Sequence, residues 1–388
     1  MNWIKIDAGS AGTARDAEAA FQHMKSRAKG FHLRHDLDWI KATHPQAEVV
    51  VYSGSDREKA YAYALVFTKD RPLPFQIGEL VWFRKKLVRH ELWEGPVFAD
   101  DDLTADENRQ HTRDLLARLR PELTAEGALS IEGLPLESAL YDLIMHDEAI
   151  KRQYVAIPVG KPFAHQFIRM PETVEDYFGG MNGKTRRNLK YDQRKLSREF
   201  KAVVPACYQA PESVDDFLDH AIPLSKKTYQ WRLLSLGLRD RAHLKETFDY
   251  AAQKGWLRNY ILFVDGQAVA FMLGYLYEGC YYYTDVGFDP DWSKWSVGSV
   301  LQMHVIEDLY AQENTPSLFD FGTGYGYHKA QFGNTEREEI NLLLLPRSFK
   351  NALTAALYRL NLRLEAALVF VLEKLGVKKA LKKLLRSS

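Results

Sequence analysis

Aliphatic, aromatic and β-branched residues crowd positions 260–288, YILFVDGQAVAFMLGYLYEGCYYYTDVGF, and the polar breaks fall at Asp265-Gly266 and Glu278-Gly279. Asp-Gly between β-formers favours a two-residue hairpin turn, because both turn positions need positive φ. The pattern predicts an antiparallel meander of three strands. The spacing then changes. In GSVLQMHVIEDLYAQE, Val300, Leu301, Val305, Leu309 and Tyr310 are spaced to line one buried face of a helix. The run SLFDF reads as strand again, so the predicted order is three strands, a helix and a strand.

A looser copy of that order comes earlier. AEVVVYS, KAYAYALVF and FQIGELVWF precede the helical ADENRQHTRDLLARLRPEL and the strand-like ALSIEGLPL. The parallel predicts an internal duplication of one α/β unit with a mixed sheet, divided into domains at 1–155 and 156–345 and followed by a helical tail at 346–388. The halves differ where their helices begin. The second helix starts through Trp295-Ser296-Val297-Gly298-Ser299, small residues that let a ligand approach backbone N–H groups; the first starts through Ala99-Asp100-Asp101-Asp102, whose carboxylates repel a phosphate. An anionic cofactor would therefore sit in the second half.

After SLFDF the chain runs FDFGTGYGYHKAQFGN, 319–334, with Gly322, Gly324 and Gly326 at alternate positions. A phosphate-binding loop needs Gly-Lys-Ser/Thr, but Lys329 lies between His328 and Ala330. The dinucleotide fingerprint needs a third glycine where Tyr327 stands. Neither reading applies.

The stretch resembles the end of the Gcn5-related N-acetyltransferase fold as it occurs in the CelD/BioF-like acyltransferase family, related to the Fem aminoacyltransferases. The matching positions are Asp320, Phe321, Gly322, Gly324, His328, Lys329, Phe332 and Gly333. SVGSVL, 296–301, looks like the family's helix start, and GWLRNYILFVDGQAVAFMLG, 255–274, like its meander. Tyr325 stands where an acidic residue is common and His328 where a tyrosine is common. Roles at those two positions therefore come from this chain's own chemistry.

The resemblance implies tandem N-acetyltransferase-like domains, the first degenerate and the second binding acetyl-CoA or another acyl-CoA as co-substrate. It implies N-acylation, with acetyl the expected group, of an amino sugar or similar precursor of surface polysaccharide. In the related fold the acyl arm lies between two splayed strands, here CYYYTDVGF and the strand ending at Asp320. The helix start, Ser296, Val297, Gly298 and Ser299 with Lys294 adding a cation, is the candidate pyrophosphate site. Alternation along CYYYTDVGF places Tyr281, Tyr283 and Asp285 on one face. Asp285 is a candidate base or amine ligand, Tyr283 and Tyr325 candidate substrate contacts, and His328 a candidate base, since imidazole titrates near 6.5. Asp320, between two phenylalanines, is a further candidate catalytic residue and needs a polar partner. In the Fem relatives a lysine before x-x-Phe-Gly faces the reaction centre, which makes Lys329 a candidate to steady an oxyanion or an acceptor phosphate.

Charge changes the picture in two places. From Lys184 to Lys201 there are eight basic residues and two acidic, with Arg186, Lys190, Arg194 and Arg198 at four-residue spacing. Together with Arg187 they form a candidate contact for a phosphorylated acceptor, such as a lipid- or nucleotide-linked amino sugar. From Arg347 onward ten Lys or Arg face Glu365 and Glu373, a local +8 that leaves −7 on the rest of the chain's net +1. That tail carries Leu353, Leu357, Leu360, Leu364, Leu368, Leu372 and Leu375 in one stripe, suited to an anionic membrane surface, to the protein's own body or to a second copy. The near-neutral whole makes no case for DNA. Cys207 and Cys280 match no metal spacing, and no metal is expected. Their scarcity and the lack of an apolar leader in MNWIKIDAGS point to a cytoplasmic setting, with peripheral attachment to the inner membrane face as one option. Two rival functions remain open: a Fem-like transferase fed by aminoacyl-tRNA, and a non-catalytic membrane-associated effector binding a cyclic dinucleotide.

Overall fold

The computed structural model describes residues 2–10, 12–28, 31–56, 59–78, 80–99, 103–228, 237–324 and 326–374. The chain forms two compact units, Met1–Pro162 with Glu338–Ser388, and Phe163–Arg337. Both are built on the same strand pattern.

In the first unit, β1 (Asn2–Asp7) pairs antiparallel with β2 (Val49–Asp56) and β2 with β3 (Lys59–Asp70). Helices α1 (Ala14–Lys25) and α2 (Leu37–Thr43) lie between β1 and β2 in the chain. The expected third strand, FQIGELVWF, does not join this sheet. It forms most of a separate hairpin, β4 (Leu73–Ile77) and β5 (Leu80–Lys85). The place beside β3 goes to β6 (Val88–Trp93), with the short β7 (Val97–Phe98) also on β3. VRHELW hid this strand because Arg89 and Glu91 break its apolar pattern, yet both are buried. The Arg89 guanidinium donates to the Arg71 and Pro72 carbonyls. Helix α3 (Ala105–Leu119) follows, and β8 (Gly127–Pro135) then pairs parallel with β6. Helices α4 (Ala139–His146) and α5 (Glu148–Gln153) complete the segment. Leu115, Leu116 and Leu119 of α3 share one core with Leu129 and Ile131 of β8 and Val66 of β3.

Strand β9 (Tyr154–Arg169) leads into the second unit, where α6 (Val174–Gly180) and α7 (Gly183–Glu199) precede β10 (Val203–Tyr208). After α8 (Val214–Lys227) and α9 (Arg241–Gln253) comes the predicted meander, β11 (Asn259–Val264), β12 (Gln267–Tyr277) and β13 (Cys280–Phe288). Its two turns have the expected left-handed pairs: Asp265 at φ 45° with Gly266 at 82°, and Glu278 at 47° with Gly279 at 70°. The predicted helix is α10 (Val297–Tyr310), burying Val300, Leu301, Val305 and Leu309. The predicted strand is β14 (Leu318–Asp320). The order β10-β11-β12-β13-β14, three antiparallel pairings and then a parallel one, repeats β1-β2-β3-β6-β8 of the first unit. Each set ends against a long antiparallel strand, β9 beside β14 and β15 (Thr335–Pro346) beside β8. The fold is thus a tandem pair of N-acetyltransferase-like α/β units. The short α11 (Tyr327–Phe332) precedes β15, and α12 (Phe349–Lys374) closes the described chain within the first unit.

Candidate active site

β13 and β14 pair at only three positions, Cys280 with Leu318, Tyr281 with Phe319 and Tyr282 with Asp320. β13 runs on to Phe288 while β14 stops at Asp320, so their pairing ends at Tyr282 and leaves a fork in the ladder. A β-bulge lies just past the fork. Tyr283 pairs with Gly274 and Asp285 with Leu273, which leaves Thr284 as the extra residue. Because neighbouring residues of a strand point to opposite faces, the bulge removes Asp285 from the face of Tyr281 and Tyr283, where simple alternation had put it. Val286 takes that place and packs against the core that holds both tyrosines. The equivalent strands of the first unit, β6 and β8, stay paired from Val88–Gly127 to Trp93–Glu132. Only the second unit has the fork.

Beyond β14 the chain turns through Gly322 at φ 68° and Gly324 at φ 90°, a backbone that side chains disfavour. Three anchors hold this turn. Asp320 is buried and accepts from the Gly322 amide at 2.6 Å. Its carboxylate also meets His165 Nε2 at 2.5 Å, and that buried imidazole stacks on Phe167 at 4.1 Å between ring centres. Here is the polar partner that Asp320 required. His165 has no signal in the sequence, because a lone histidine in β9 carries no local motif. The second anchor is Lys329, whose ammonium donates to the carbonyls of Gly322 (3.2 Å) and Thr323 (3.0 Å). Burial lowers its pKa, while the Asp320 charge opposes that shift. The third is the Phe332-Gly333 pair. Tyr177 donates to the Phe332 carbonyl at 2.7 Å, and a Cβ on Gly333 would sit 2.7 Å from Gln166 Oε1 and 3.0 Å from the Lys329 carbonyl. The glycine stretch is a braced wall on one side of the fork.

On that wall His328 Nε2 lies 2.9 Å from the Tyr283 hydroxyl. Burial pushes the Tyr283 phenol far above its usual range and, with the Lys329 charge, lowers the His328 pKa from 6.5. Burial thus disfavours the charged form of both groups, and the hydrogen bond between them fixes the orientation of the imidazole ring. Asp285, on the other face of β13, accepts from the Val286 amide at 2.8 Å, and burial raises its pKa to about 6.

The start of α10 carries no side-chain cap, and Ser296, its N-cap residue, holds a left-handed φ of 53°. The amides of its first turn are therefore available, and a Cβ on Gly298 would meet only Phe288, at 3.5 Å. Val297 is fully buried and anchors the turn. Two cations flank it: Lys195 Nζ at 4.7 Å and Lys294 Nζ at 5.1 Å from the Trp295 ring centre, with Lys195 also donating to the Lys294 carbonyl. These groups suit a pyrophosphate. In the first unit the matching helix, α3, caps itself through Thr104 and Glu107 and places Asp106 in its first turn. Its Glu107 amide is taken by the cap, and its first turn is negatively charged.

Helix α7 buries Leu189 and Leu196 and exposes Arg187, Lys190, Arg194 and Arg198. Arg186 is half-buried and donates to the Phe178 and Gly179 carbonyls, so it ties α7 to α6. Tyr325, expected at the substrate, lies outside the described residues, as do Asp100, Asp101 and Asp102 and everything after Lys374.

Residues 183–330 match a family model described as an Acetyltransferase (GNAT) domain. None of the curated proteins matches the chain. Among solved structures, FemX is similar with a TM-score of 0.60 and 12% identity, over 89% of this chain and 98% of that one. L-PGS from Bacillus licheniformis is similar with a TM-score of 0.52 and 15% identity, over 88% of this chain and 96% of that one. At such identities the structural likeness speaks for the fold, and the family match for acyl transfer.

Proposed function

We propose that the second unit is an acyl-CoA-dependent N-acyltransferase, which acetylates an amino sugar or similar precursor of surface polysaccharide. The observation that carries this reading is the fork between β13 and β14 beside an uncapped helix start. Such a fork offers an extended acyl arm an unpaired strand edge, and the helix start offers a diphosphate free amides and the positive end of a dipole. The amides of Val297, Gly298 and Ser299, with Ser296 shaping the turn and Lys294 adding charge, would hold the donor. A bound thioester would supply an acyl carbon already activated toward an amine.

The remaining work falls to this chain's own groups. His328 takes the proton that the acceptor ammonium must lose, and Tyr283 orients its ring. Lys329 and the Asp320–His165 pair position the glycine wall, and the third N–H of Lys329 is the candidate for charge developing on the carbonyl oxygen. Arg187, Lys190 and Arg194 meet the anionic part of the acceptor. Asp285, displaced by the bulge, acts from the opposite face of β13 as an ammonium ligand or as a second base.

A second reading is a Fem-like aminoacyl transfer. It is favoured by the Lys329-x-x-Phe332-Gly333 spacing and by the likeness to FemX over most of the chain. Thermal-shift titration separates the two. Stabilisation by acetyl-CoA and none by aminoacyl-tRNA keeps the first, and the reverse replaces it. A mass-detected screen of acyl-CoA donors against amino sugars then identifies the product. If a cyclic dinucleotide stabilises the protein while no donor turns over, neither transfer reading survives.

A further inference from the structure

Helix α12 is turned inside out. Its buried face is made of Asn351, Thr354, Ala355, Tyr358 and Asn361, while Leu353, Leu357, Leu360, Leu364 and Leu368 are 43–53% exposed along one side. From Leu353 to Val371 this face extends about 27 Å at the rise of a helix. The β4–β5 hairpin continues it with Leu80, Trp82 and Phe83, exposed by 50–71%. Trp82 donates to Asn361 Oδ1 at 2.9 Å, the Asn361 amide donates to the Gln76 carbonyl, and the Gly78 amide donates to Glu365. These bonds lock the hairpin to the helix. Between them lies a groove of about 470 Å³ lined by Phe75, Trp82, Phe83, Leu357, Leu360 and Leu364. Single exposed leucines are ordinary, but a continuous apolar face of this extent marks an interaction site.

Cations surround that face. Arg84, Lys86, Lys350 and Arg363 are exposed, and Lys85 lines the groove. Lys350 stands near enough to Lys85 to help burial depress its pKa. The sequence continues from Lys374 with Lys378, Lys379, Lys382, Lys383 and Arg386. A two-fold pairing with a second copy would bring these like charges together, since the same patch would occupy both sides of the contact. An anionic partner relieves them. No described helix is long and apolar enough to cross a membrane.

We propose that α12 and the β4–β5 hairpin dock flat on an anionic phospholipid surface. The leucines and Trp82 enter the boundary between headgroups and acyl chains, and Arg84, Lys86, Lys350 and Arg363 face the phosphates. This surface belongs to the first unit and goes beyond the acyl-transfer reading, on which it does not rest.

The test is co-sedimentation of the full chain with vesicles of phosphatidylcholine alone, or of phosphatidylcholine mixed with phosphatidylglycerol, at low and high salt. The expected result is pelleting with the mixed vesicles, weakened by salt, and little with the neutral ones. Leu357→Glu with Leu364→Glu lowers binding at least about tenfold without lowering the melting temperature, because both side chains are exposed. Lys86→Glu with Lys350→Glu also lowers it, and abolishes the preference for phosphatidylglycerol. Failure of the wild type to pellet, or undiminished pelleting of the leucine double variant, overturns the proposal. A wild-type dimer that ignores vesicles and is split by the leucine exchanges hands this face to a second copy.

Discussion

His328 and Asp285 are both titratable groups shifted by burial, and they make opposite predictions. The His328 pKa is lowered from 6.5, so the acid limb of kcat/KM should lie below that value. His328→Ala should cost about 10²–10⁴-fold in kcat, and Tyr283→Phe roughly 3–10-fold through loss of one neutral hydrogen bond. A pH–rate profile of each variant checks this, and an unchanged acid limb in His328→Ala would remove the histidine as base. Asp285 is raised from 3.8 to about 6. A raised carboxyl favours folding most below its unfolded value, and that contribution is lost as pH rises through about 6. Asp285→Asn should therefore stabilise the protein by about 2–3 kcal/mol near neutrality and by little at acid pH, read as melting temperature against pH. A fall in activity in the same variant would show that the buried charge serves the reaction.

At the scale of elements, the start of α10 is where the proposed donor site can be tested. Ser299 is the third residue of α10, where a carboxylate favours a helix by about 0.3–1 kcal/mol. Ser299→Asp should keep or raise the melting temperature and yet weaken acyl-CoA binding at least about tenfold, measured by titration calorimetry. Equal donor affinity in that variant would move the pyrophosphate elsewhere. The bulge at Thr284 is equally consequential. One unpaired residue reverses the alternation of β13 and leaves Tyr283, without Asp285, on the face that meets His328.

At the scale of the whole molecule, duplication has produced one open unit and one closed unit. In the first unit β6 and β8 are paired throughout, and the Thr104–Glu107 capping box fills the helix start. Thr104→Ala should therefore lower the melting temperature by a few degrees and leave kcat and the KM for acyl-CoA unchanged. Steady-state kinetics beside a melting curve tests this. A raised KM would give the first unit a share in donor binding.

The meander, its two left-handed turns, α10 and β14 were legible in the residues, because hairpin chemistry and helical spacing are local properties of the chain. So was the absence of a carboxylate at the start of α10. β6 was not legible: its Arg89 and Glu91 look solvent-facing until other parts of the chain supply their partners and bury them. His165 was equally silent, since 155 residues separate it from Asp320 and only the antiparallel pairing of β9 with β14 brings the two together. The leucine stripe of α12 was plain, but its direction was not. Which side of an amphipathic helix turns inward depends on what it packs against, and here Asn351, Thr354 and Asn361 found partners in the fold while the leucines did not. Local covalent preferences thus determined where strands, turns and helices begin, while long-range pairing and burial decided which polar side chains meet and which apolar ones stay outside.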